Sequence, residues 1–157
     1  LSPRENASPS VSERPLMDLR VFGAGETPNC PDGHQIASVM VHYAPHSLKG
    51  GWTESARQLL FDRVMEQLRP ACPGIADQVV GHRITSPQDL STAHGLTGGH
   101  IFHGEHAPDQ LLFMRPTIEC SHYETPVGGL FFGGSGSHPG GGLTCAPGAL
   151  CARAMLT

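Results

Sequence analysis

The sequence lacks several features that would assign it to a common functional class. No apolar run approaches the roughly 18 to 20 residues that a membrane-spanning helix needs, so none is predicted. The formal net charge is −4, and no basic cluster stands out, which gives nucleic-acid binding no electrostatic support. We find no Ser/His/Asp or Cys/His grouping that would indicate nucleophilic catalysis, so hydrolase chemistry has no support either.

The cysteines form neither a disulfide framework nor a zinc motif. There are five of them, an odd number, and none is in CxxC spacing. Such a pattern indicates free thiols in a reducing compartment, which predicts a cytoplasmic protein. The residues are Cys30, Cys72, Cys120, Cys145 and Cys151.

A complete dinucleotide-binding fingerprint is also lacking. The nearest candidate is VFGAGETP at residues 21–28, in which Pro28 occupies the position of the third glycine. With prolines at positions 28 and 31, this segment cannot begin the helix that the GxGxxG fingerprint requires. At 157 residues, we expect one domain with a real core rather than a two-domain flavoenzyme. The chain is therefore not expected to hold a dinucleotide by itself.

What the sequence does contain is a glycine-rich stretch near its end. Residues 130–132 (LFF) predict a short buried strand, and residues 143–155, rich in Ala and Leu, predict a helix. Between them lies the glycine loop, residues 133–142, with six glycines among ten residues. A strand, glycine loop and helix present backbone N–H groups to an anionic ligand, here near residues 141–144. A flexible linker is the alternative, against which the fixed φ of Pro139 argues.

A second informative stretch is residues 98–116, GGHIFHGEHAPDQLLFMRP. Its histidine segment, residues 100–106, places His100, His103 and His106 at steps of three, with Glu105 nearby. On a helix these side chains could share a face and bind a metal, but the glycines and Pro108 disfavour a helix, so no metal site is predicted. A His-rich metal-binding module stays open as a weaker interpretation. Residues 111–114 predict a buried run, and Arg115 could pair with a carboxylate.

These two stretches resemble the C-terminal part of the phytoene desaturase-like FAD-dependent oxidoreductases. The branch they resemble includes pyridine nucleotide-disulfide oxidoreductase domain-containing protein 2. The similarity covers roughly residues 34–155, and both motifs stand in the family's order. One departure lies in the last helix, where the family usually has Gly-Arg-Asn-Ala-Ala and this chain has GALCA at residues 148–152. Contacts made by that Arg and Asn are therefore not expected here.

The resemblance implies an α/β (mixed α+β) fold, the C-terminal part of a two-domain enzyme. Residues 1–15 are expected to form a flexible N-terminal arm, and residues 16–126 part of the substrate domain, with a sheet and one long helix. Residues 127–157 would be the last strand, loop and helix of the FAD domain. From local patterns we predict strands at 16–22, 35–43 and 79–85. Helices are predicted from Thr53, as N-cap, to about Arg69, at 75–80 and from Pro87 to about residue 95.

The resemblance also implies FAD as the cofactor and assigns candidate site residues. Candidate catalytic residues are His103, Asp109 and Gln110. The N-terminus of the final helix would stabilise negative charge at the N1/C2=O edge of the flavin. Candidate cofactor-binding residues are Gly134, Ser135, Gly136, His138, Pro139, Gly140, Gly141, Gly142 and Leu143.

The predicted function is that of a subunit or C-terminal part of an FAD-dependent oxidoreductase. The reaction would be of the dehydrogenation, desaturation or amine-oxidation type. A separate chain carrying GxGxxG would supply the Rossmann half of the flavin and substrate site. Apolar strands near the site favour a hydrophobic or aromatic small-molecule substrate. The alternative is a non-catalytic subunit that stabilises a flavoprotein complex.

Overall fold

The computed structural model describes residues 10–23, 25–28, 30–104 and 106–157. It contains two compact units: an N-terminal unit that ends at Ser86 and a C-terminal unit, Pro87–Thr157. Most of the predicted arm, residues 1–9, lies outside the described residues, as does Glu105. Among the described residues, no helix is long and apolar enough to cross a membrane.

The N-terminal unit contains an antiparallel two-stranded sheet. Strand β1, Met17–Gly23, pairs with strand β2, Gln35–Val41, in a register that joins Met17 to Val41 and Gly23 to Gln35. β2 holds the β-branched residues that favour a pleated surface. Both strands confirm the sequence prediction for residues 16–22 and 35–43.

Helix α1, Glu54–Leu68, supplies most of the core of this unit. Its N-cap is Thr53, whose hydroxyl accepts a hydrogen bond from the Ala56 backbone N–H at 3.3 Å. Leu60, Val64 and Leu68 recur every fourth residue, so they lie on one face of the helix and are buried there. The core is completed by Val11, Trp52 and Met65.

One strand prediction for the N-terminal unit was wrong, and one residue of the expected arm packs in the core. Val11, placed in the flexible arm, is buried with only 7% of its surface exposed, and its carbonyl accepts a hydrogen bond from Arg63 Nη1. Val11 is apolar and lies against α1, so its burial is favourable even though its neighbours in the sequence are polar. Residues 79–85 form neither strand nor helix. The alternation of polar and apolar residues in this segment is not enough to form a strand, because a strand also needs a neighbouring strand to pair with.

The segment after the short helix α2, Ile75–Gln78, is held against α1 by side chains instead. The His82 and Phe61 rings stack with centroids 3.8 Å apart. Arg57 Nη1 donates to the Ile84 carbonyl at 3.0 Å. Both contacts are made with α1, the long helix that the sequence predicted. Residues 79–85 therefore pack against α1 and do not add a strand to the sheet.

The C-terminal unit is built mainly from loops and single turns. Helix α3, Pro87–His94, agrees with its prediction, and helix α4 runs over Ala146–Met155. Between them lie four single turns of 3₁₀ helix: Thr97–Gly99, Pro108–Gln110, Leu112–Met114 and Ile118–Cys120. The fold is thus small and mixed, with helices and one two-stranded sheet among the described residues. A Rossmann-type sheet is not formed by that part of the chain.

The apolar runs of the C-terminal unit do not form the buried structure predicted for them. Phe131 makes only an isolated antiparallel bridge to Glu124, so residues 130–132 are not a strand. Leu130 and Phe132 are 51% and 45% exposed. The run at 111–114 is likewise open, with Leu112 64% and Phe113 58% exposed. Apolar composition predicts burial only where another layer of structure covers the run, and no described element of this unit does so.

The final helix also begins later than predicted. Leu143 and Cys145 both have a φ of 58°, which lies in the left-handed region and cannot continue a right-handed helix. The helix therefore starts at Ala146 rather than Leu143. Consequently its N-terminus is not at residues 141–144, where the flavin edge was expected to meet it.

Candidate functional site

The glycine loop and the histidine segment lie against each other in the C-terminal unit. A Cβ added to Gly141 would stand 2.8 Å from Cδ1 of Phe102. One added to Gly140 would overlap Nε2 of His106. The contact requires glycine at Gly141, whose added Cβ would also meet the Phe102 backbone, and a φ of 101° favours glycine at Gly140. The structure thus brings together the two motifs on which the sequence resemblance rests.

Arg115 ties the two motifs together. Its Nη2 donates to the carbonyls of Phe102 at 2.9 Å and His103 at 3.0 Å. The same nitrogen donates to the Ser135 carbonyl at 3.1 Å, across to the glycine loop. The side chain is 1% exposed. The prediction that Arg115 pairs with a carboxylate is therefore wrong for the described residues. Its partners there are three neutral carbonyl oxygens.

The remaining nitrogens of Arg115 are left without an acceptor. Nε and Nη1 are buried and have no hydrogen-bond partner in the part of the chain that the structure describes. Burial lowers the pKa of the Arg115 guanidinium, because a low-dielectric surrounding disfavours the charged form. Arginine nevertheless stays protonated at neutral pH. A positive charge is therefore held under the junction of the two motifs.

The glycine loop has a defined shape rather than that of a flexible linker. The Ser137 N–H donates to the Gly134 carbonyl at 2.9 Å, and the Gly140 N–H donates to the Ser137 carbonyl at 2.7 Å. These bonds make two successive turns. The Ser137 hydroxyl, 2% exposed, donates to the Phe132 carbonyl at 3.0 Å. The Tyr123 hydroxyl fixes the second of these turns by donating to the His138 carbonyl at 3.1 Å.

The candidate cofactor-binding residues differ in exposure along this loop. Gly140 is buried against the histidine segment, whereas Leu143 is fully exposed, at 102%. The exposed residues are Gly134, Pro139 and Gly142, and the half-buried ones are Ser135, Gly136, His138 and Gly141. Exposed positions thus alternate with positions that Arg115 and Tyr123 hold through the Ser135 and His138 carbonyls.

The N-terminus of α4 contributes less than the sequence indicated. The Thr144 hydroxyl accepts a hydrogen bond from the Ala146 N–H at 3.3 Å. Pro147, in the first turn, has no N–H to offer. Two of the four N–H groups normally free at a helix start are thus unavailable to a ligand.

Of the three candidate catalytic residues, one is linked to the loop, through Arg115. His103 is exposed, has a φ of 57°, and its carbonyl accepts from Arg115. Asp109 and Gln110 lie in the turn Pro108–Gln110, where the Gln110 amide donates to the Asp109 carbonyl at 3.1 Å. Among the described residues, neither side chain makes a hydrogen bond to the glycine loop.

The histidines are arranged around Phe102 rather than around a metal. The His106 ring stacks on Phe102 with centroids 6.5 Å apart, and the His100 ring tilts against it at 6.0 Å. His100 Nδ1 accepts from the Phe102 N–H at 3.3 Å. No group of three or more His, Cys, Asp or Glu side chains in the described ranges could hold a metal ion. All five cysteines are free thiols, as expected from their spacing.

Three residues of the site escaped sequence reasoning: Phe102, Tyr123 and Ser137. Phe102 fills the gap between two histidines, and its only signal was its place at the centre of the histidine segment. Tyr123 stands in a stretch taken as a simple loop, and burial, then the nearby Cys151, raise the pKa of its hydroxyl. Ser137 resembled the other small residues of the glycine loop. Their roles depend on backbone carbonyls, which leave no trace in a sequence.

Comparisons with known proteins identify relatives that match most of the chain. Pyridine nucleotide-disulfide oxidoreductase domain-containing protein 2 of Rattus norvegicus is 40% identical over 139 residues, 87% of this chain and 24% of the relative. The protein of the same name in Mus musculus is 36% identical over 147 residues, 92% of this chain and 25% of the relative. A limonene dehydrogenase subunit of Castellaniella defragrans is 33% identical over 128 residues, 78% of this chain and 23% of that protein.

No protein-family model matches the chain, and no solved structure does so with significance. The chain spans about a quarter of the length of the curated relatives that it matches. It is related to oxidoreductases, one of which is named as a dehydrogenase subunit. These relatives confirm the resemblance carried by the two motifs: the chain is homologous to the C-terminal quarter of pyridine nucleotide-disulfide oxidoreductase domain-containing protein 2.

Proposed function

We propose that this chain is the C-terminal part of an FAD-dependent oxidoreductase and completes its flavin and substrate site. A separate chain bearing GxGxxG supplies the Rossmann half. The reaction is of the dehydrogenation, desaturation or amine-oxidation type, and the substrate is a hydrophobic or aromatic small molecule. The relatives named as an oxidoreductase and as a dehydrogenase subunit support this proposal. The free cysteines support a cytoplasmic location.

The observation that carries the proposal is the fixed glycine loop. Its backbone is shaped by two successive turns and by the Ser135 carbonyl bond to Arg115. Gly140 and Gly141 press on the histidine segment, whereas a Cβ on Gly134 or Gly136 would meet no atom within 4 Å. A loop ordered in this way lets a planar or phosphate-bearing ligand approach the backbone closely.

The residues present fit a flavin dinucleotide. FAD when bound supplies the electron acceptor for the reaction, and the protein contributes position and electrostatics. The loop residues from Gly134 to Leu143 would hold it, and the charge of Arg115 favours an anionic cofactor. His103, whose carbonyl shares Arg115 with the loop, would supply an exposed imidazole that can donate or accept hydrogen bonds. Asp109 and Gln110 remain predicted catalytic residues.

A non-catalytic stabilising subunit is the second candidate. It is favoured by the position of Asp109 and Gln110, whose side chains make no hydrogen bond to the loop within the described residues. In that case the loop would bind the partner or its cofactor without acting on a substrate.

Co-expression tests the proposal. The chain is produced alone and together with the GxGxxG-bearing portion of a homologue, and flavin is measured by absorption near roughly 450 nm. We expect the chain alone to be colourless. We expect the complex to be yellow and its flavin to be reduced when substrate is added. Stoichiometric FAD on the chain alone would contradict the need for a Rossmann partner. A yellow complex without turnover on any tested hydrophobic substrate would favour the stabilising subunit.

A glycine variant then locates the flavin within the complex. Gly141→Ala forces a Cβ to within 2.8 Å of Phe102, so the loop must move, and we expect at least a tenfold loss of flavin occupancy. Gly128→Ala is the matched control, because nothing lies within 4 Å of its added Cβ. Equal flavin content in the two variants would place the cofactor elsewhere.

A further inference from the structure

Strand β2 has the sequence of a strand that is covered on both sides. It reads QIASVMV, with Ala37 and Val39 on one face and Ile36 and Met40 on the other. Such near-continuous apolar sequences, without charge or proline, are typical of strands buried on both faces. In this structure, however, residues 35–38 are exposed, and Met40 is 43% exposed. The sequence of β2 and its surroundings therefore disagree.

Strand β1 differs from β2 because it carries charges at two positions, Asp18 and Arg20. Charged side chains are one means by which natural proteins keep the outer strand of a sheet from pairing further. Among the described residues the sheet has only these two strands, so each of them has one free edge. β1 thus has the composition of an edge strand, whereas β2 has that of a strand with neighbours on both sides.

The hydrogen-bond pattern of the sheet shows which backbone groups of β2 are open. The His42 N–H donates to the Leu16 carbonyl at 2.8 Å, one pair beyond the end of the sheet's register. Hydrogen-bonded and non-bonded pairs alternate in an antiparallel ladder. The even-numbered residues of β2 therefore bond to β1, whereas Ala37 and Val39 direct their N–H and C=O groups to the outer edge. Neither of these two residues makes a further backbone hydrogen bond in the part of the chain that the structure describes.

The apolar face of the sheet also continues past the core that covers it. Met17, Val39 and Val41 pack against the core of the N-terminal unit. Leu19 and Val21 lie on the same face, since strand side chains alternate, but they are 37% and 48% exposed. Both a neighbour for the edge of β2 and a cover for this end of the face are thus missing among the described residues. This combination favours a folded partner over a single short peptide.

The comparisons with relatives indicate what pairs with β2. The chain matches 24% of the Rattus norvegicus relative, so most of that protein has no counterpart here. The proposed function assigns that remainder to a separate chain. When an extended segment adds to the edge of a sheet, main-chain hydrogen bonds supply affinity and the alternating side chains supply specificity. A strand of the separate chain, apolar on both faces like β2, fits this edge.

We propose that the outer edge of β2 is a docking site for a strand of the separate GxGxxG-bearing chain. The N–H and C=O groups of Ala37 and Val39 bond to the added strand. Its apolar side chains lie beside those of β2 on both faces of the enlarged sheet. This inference rests on the proposed function and identifies a surface through which the two chains assemble.

Amide hydrogen exchange followed by NMR tests the docking edge. The 157-residue chain is measured alone and in complex with the portion of the Rattus norvegicus relative that precedes the matched quarter. In the chain alone, the amides of Ala37 and Val39 should exchange faster than those of Ile36 and Ser38, which bond to β1. In the complex, exchange at Ala37 and Val39 should slow at least tenfold.

Three results of this experiment would overturn the proposal. The first is a complex in which the amides of Ala37 and Val39 exchange as fast as they do in the chain alone. The second is the failure of the two chains to form a complex. The third is protection of these amides that rises with the concentration of the chain by itself, which would assign the edge to a second copy.

Two opposed proline variants distinguish the two edges of the sheet. Ala37 and Val21 face each other across the strands, and each directs its N–H to its own outer edge. Proline at either position removes that outward N–H without removing a bond of the ladder between β1 and β2. We expect Ala37→Pro to weaken binding of the partner portion at least tenfold and Val21→Pro to leave it unchanged. Equal losses, or a larger loss in Val21→Pro, would contradict docking at β2.

A second pair of variants keeps every backbone N–H and so remains informative if a proline variant unfolds. A lysine on an edge strand opposes the addition of a further strand, so Ala37→Lys should bind the partner portion more weakly than the native chain. Ala37→Val is the matched control, because valine favours a strand, and it should bind at least as well as the native chain. Circular dichroism spectra of the two variants should agree. Equal binding by both would contradict the proposal.

The outcomes for the docking edge and for the proposed function can be told apart. A yellow, active complex in which Ala37 and Val39 stay unprotected would overturn only the docking edge. A colourless complex in which these amides are protected would support the docking edge and contradict the proposed flavin site.

Discussion

The two units of this chain differ in the side chains that they bury. The N-terminal unit packs apolar side chains, among them Trp52 and Leu60, around one helix. The C-terminal unit buries two polar side chains, Arg115 and Ser137, more fully than its apolar Cys120, Tyr123 and Cys151. Apolar packing is non-directional and tolerates small adjustments, whereas hydrogen bonds to one cation fix particular backbone atoms. The first unit is thus suited to a scaffold and the second to a binding site.

Removing Trp52 gives the largest expected effect and tests the apolar side of this comparison. Trp52 is 7% exposed, and its Nε1 donates to the Pro45 carbonyl at 3.0 Å. Trp52→Ala should lower the free energy of unfolding of the N-terminal unit by about 3–5 kcal/mol. Trp52→Phe, which keeps a ring but loses the hydrogen bond, should cost less. Urea denaturation followed by circular dichroism measures both, and a loss under about 1 kcal/mol in the alanine variant would disprove a core centred on Trp52.

Arg115→Met tests the polar side and should have the next largest effect. Each of the three carbonyls left without Nη2 costs about 1–3 kcal/mol if buried, and loss of the unpaired charge offsets part of this. We expect a net loss of about 2–3 kcal/mol of local stability. Hydrogen exchange should speed up in the glycine loop and histidine segment but not in α1. Arg153→Met is the control, and faster exchange throughout the chain would show that the two units are not independent.

Tyr123→Phe should have the smallest effect, about 1 kcal/mol at neutral pH, from the lost bond to the His138 carbonyl. It also carries a pH signature. Burial first, and Cys151 second, raise the pKa of Tyr123 above its ordinary value of 10.0. The folded state thus favours the neutral phenol. The stabilisation that Tyr123 contributes is therefore fully present below about pH 10 and is lost as the pH rises through the pKa of Tyr123 in the folded state.

Stability measured from about pH 9 to pH 11 checks this sign. The native chain should lose stability over that range, and Tyr123→Phe should lose less of it. Tyr43→Phe is the matched control, because Tyr43 is 91% exposed. If the two phenylalanine variants behave alike, Tyr123 does not anchor the glycine loop as the structure indicates.

Sequence reasoning succeeded where the signal is local. Each of the successful signals acts within a few residues: the N-cap at Thr53, the apolar residues at every fourth position of α1, the proline that opens α3 and the β-branched residues of β2. It failed at residues 79–85, 111–114 and 130–132, where burial and strand pairing depend on distant parts of a structure. The late start of α4 belongs to the same group, because left-handed backbone at Leu143 and Cys145 has no signature in those residue types.

The candidate site shows the same division. The glycine loop and histidine segment were recognisable as motifs, and their resemblance to one family is confirmed by the relatives. That they touch, and that Arg115 joins them, could not be read from the sequence, since the acceptors are main-chain oxygens of Phe102, His103 and Ser135. The roles of His103, Asp109 and Gln110 remain predictions.

A visible absorption spectrum of the protein isolated from its native source, with its polypeptides resolved on a denaturing gel, tests the proposed function most directly. We predict a flavin band near roughly 450 nm in a preparation that contains a second, GxGxxG-bearing chain. A folded, colourless preparation that contains only this chain would contradict the proposal.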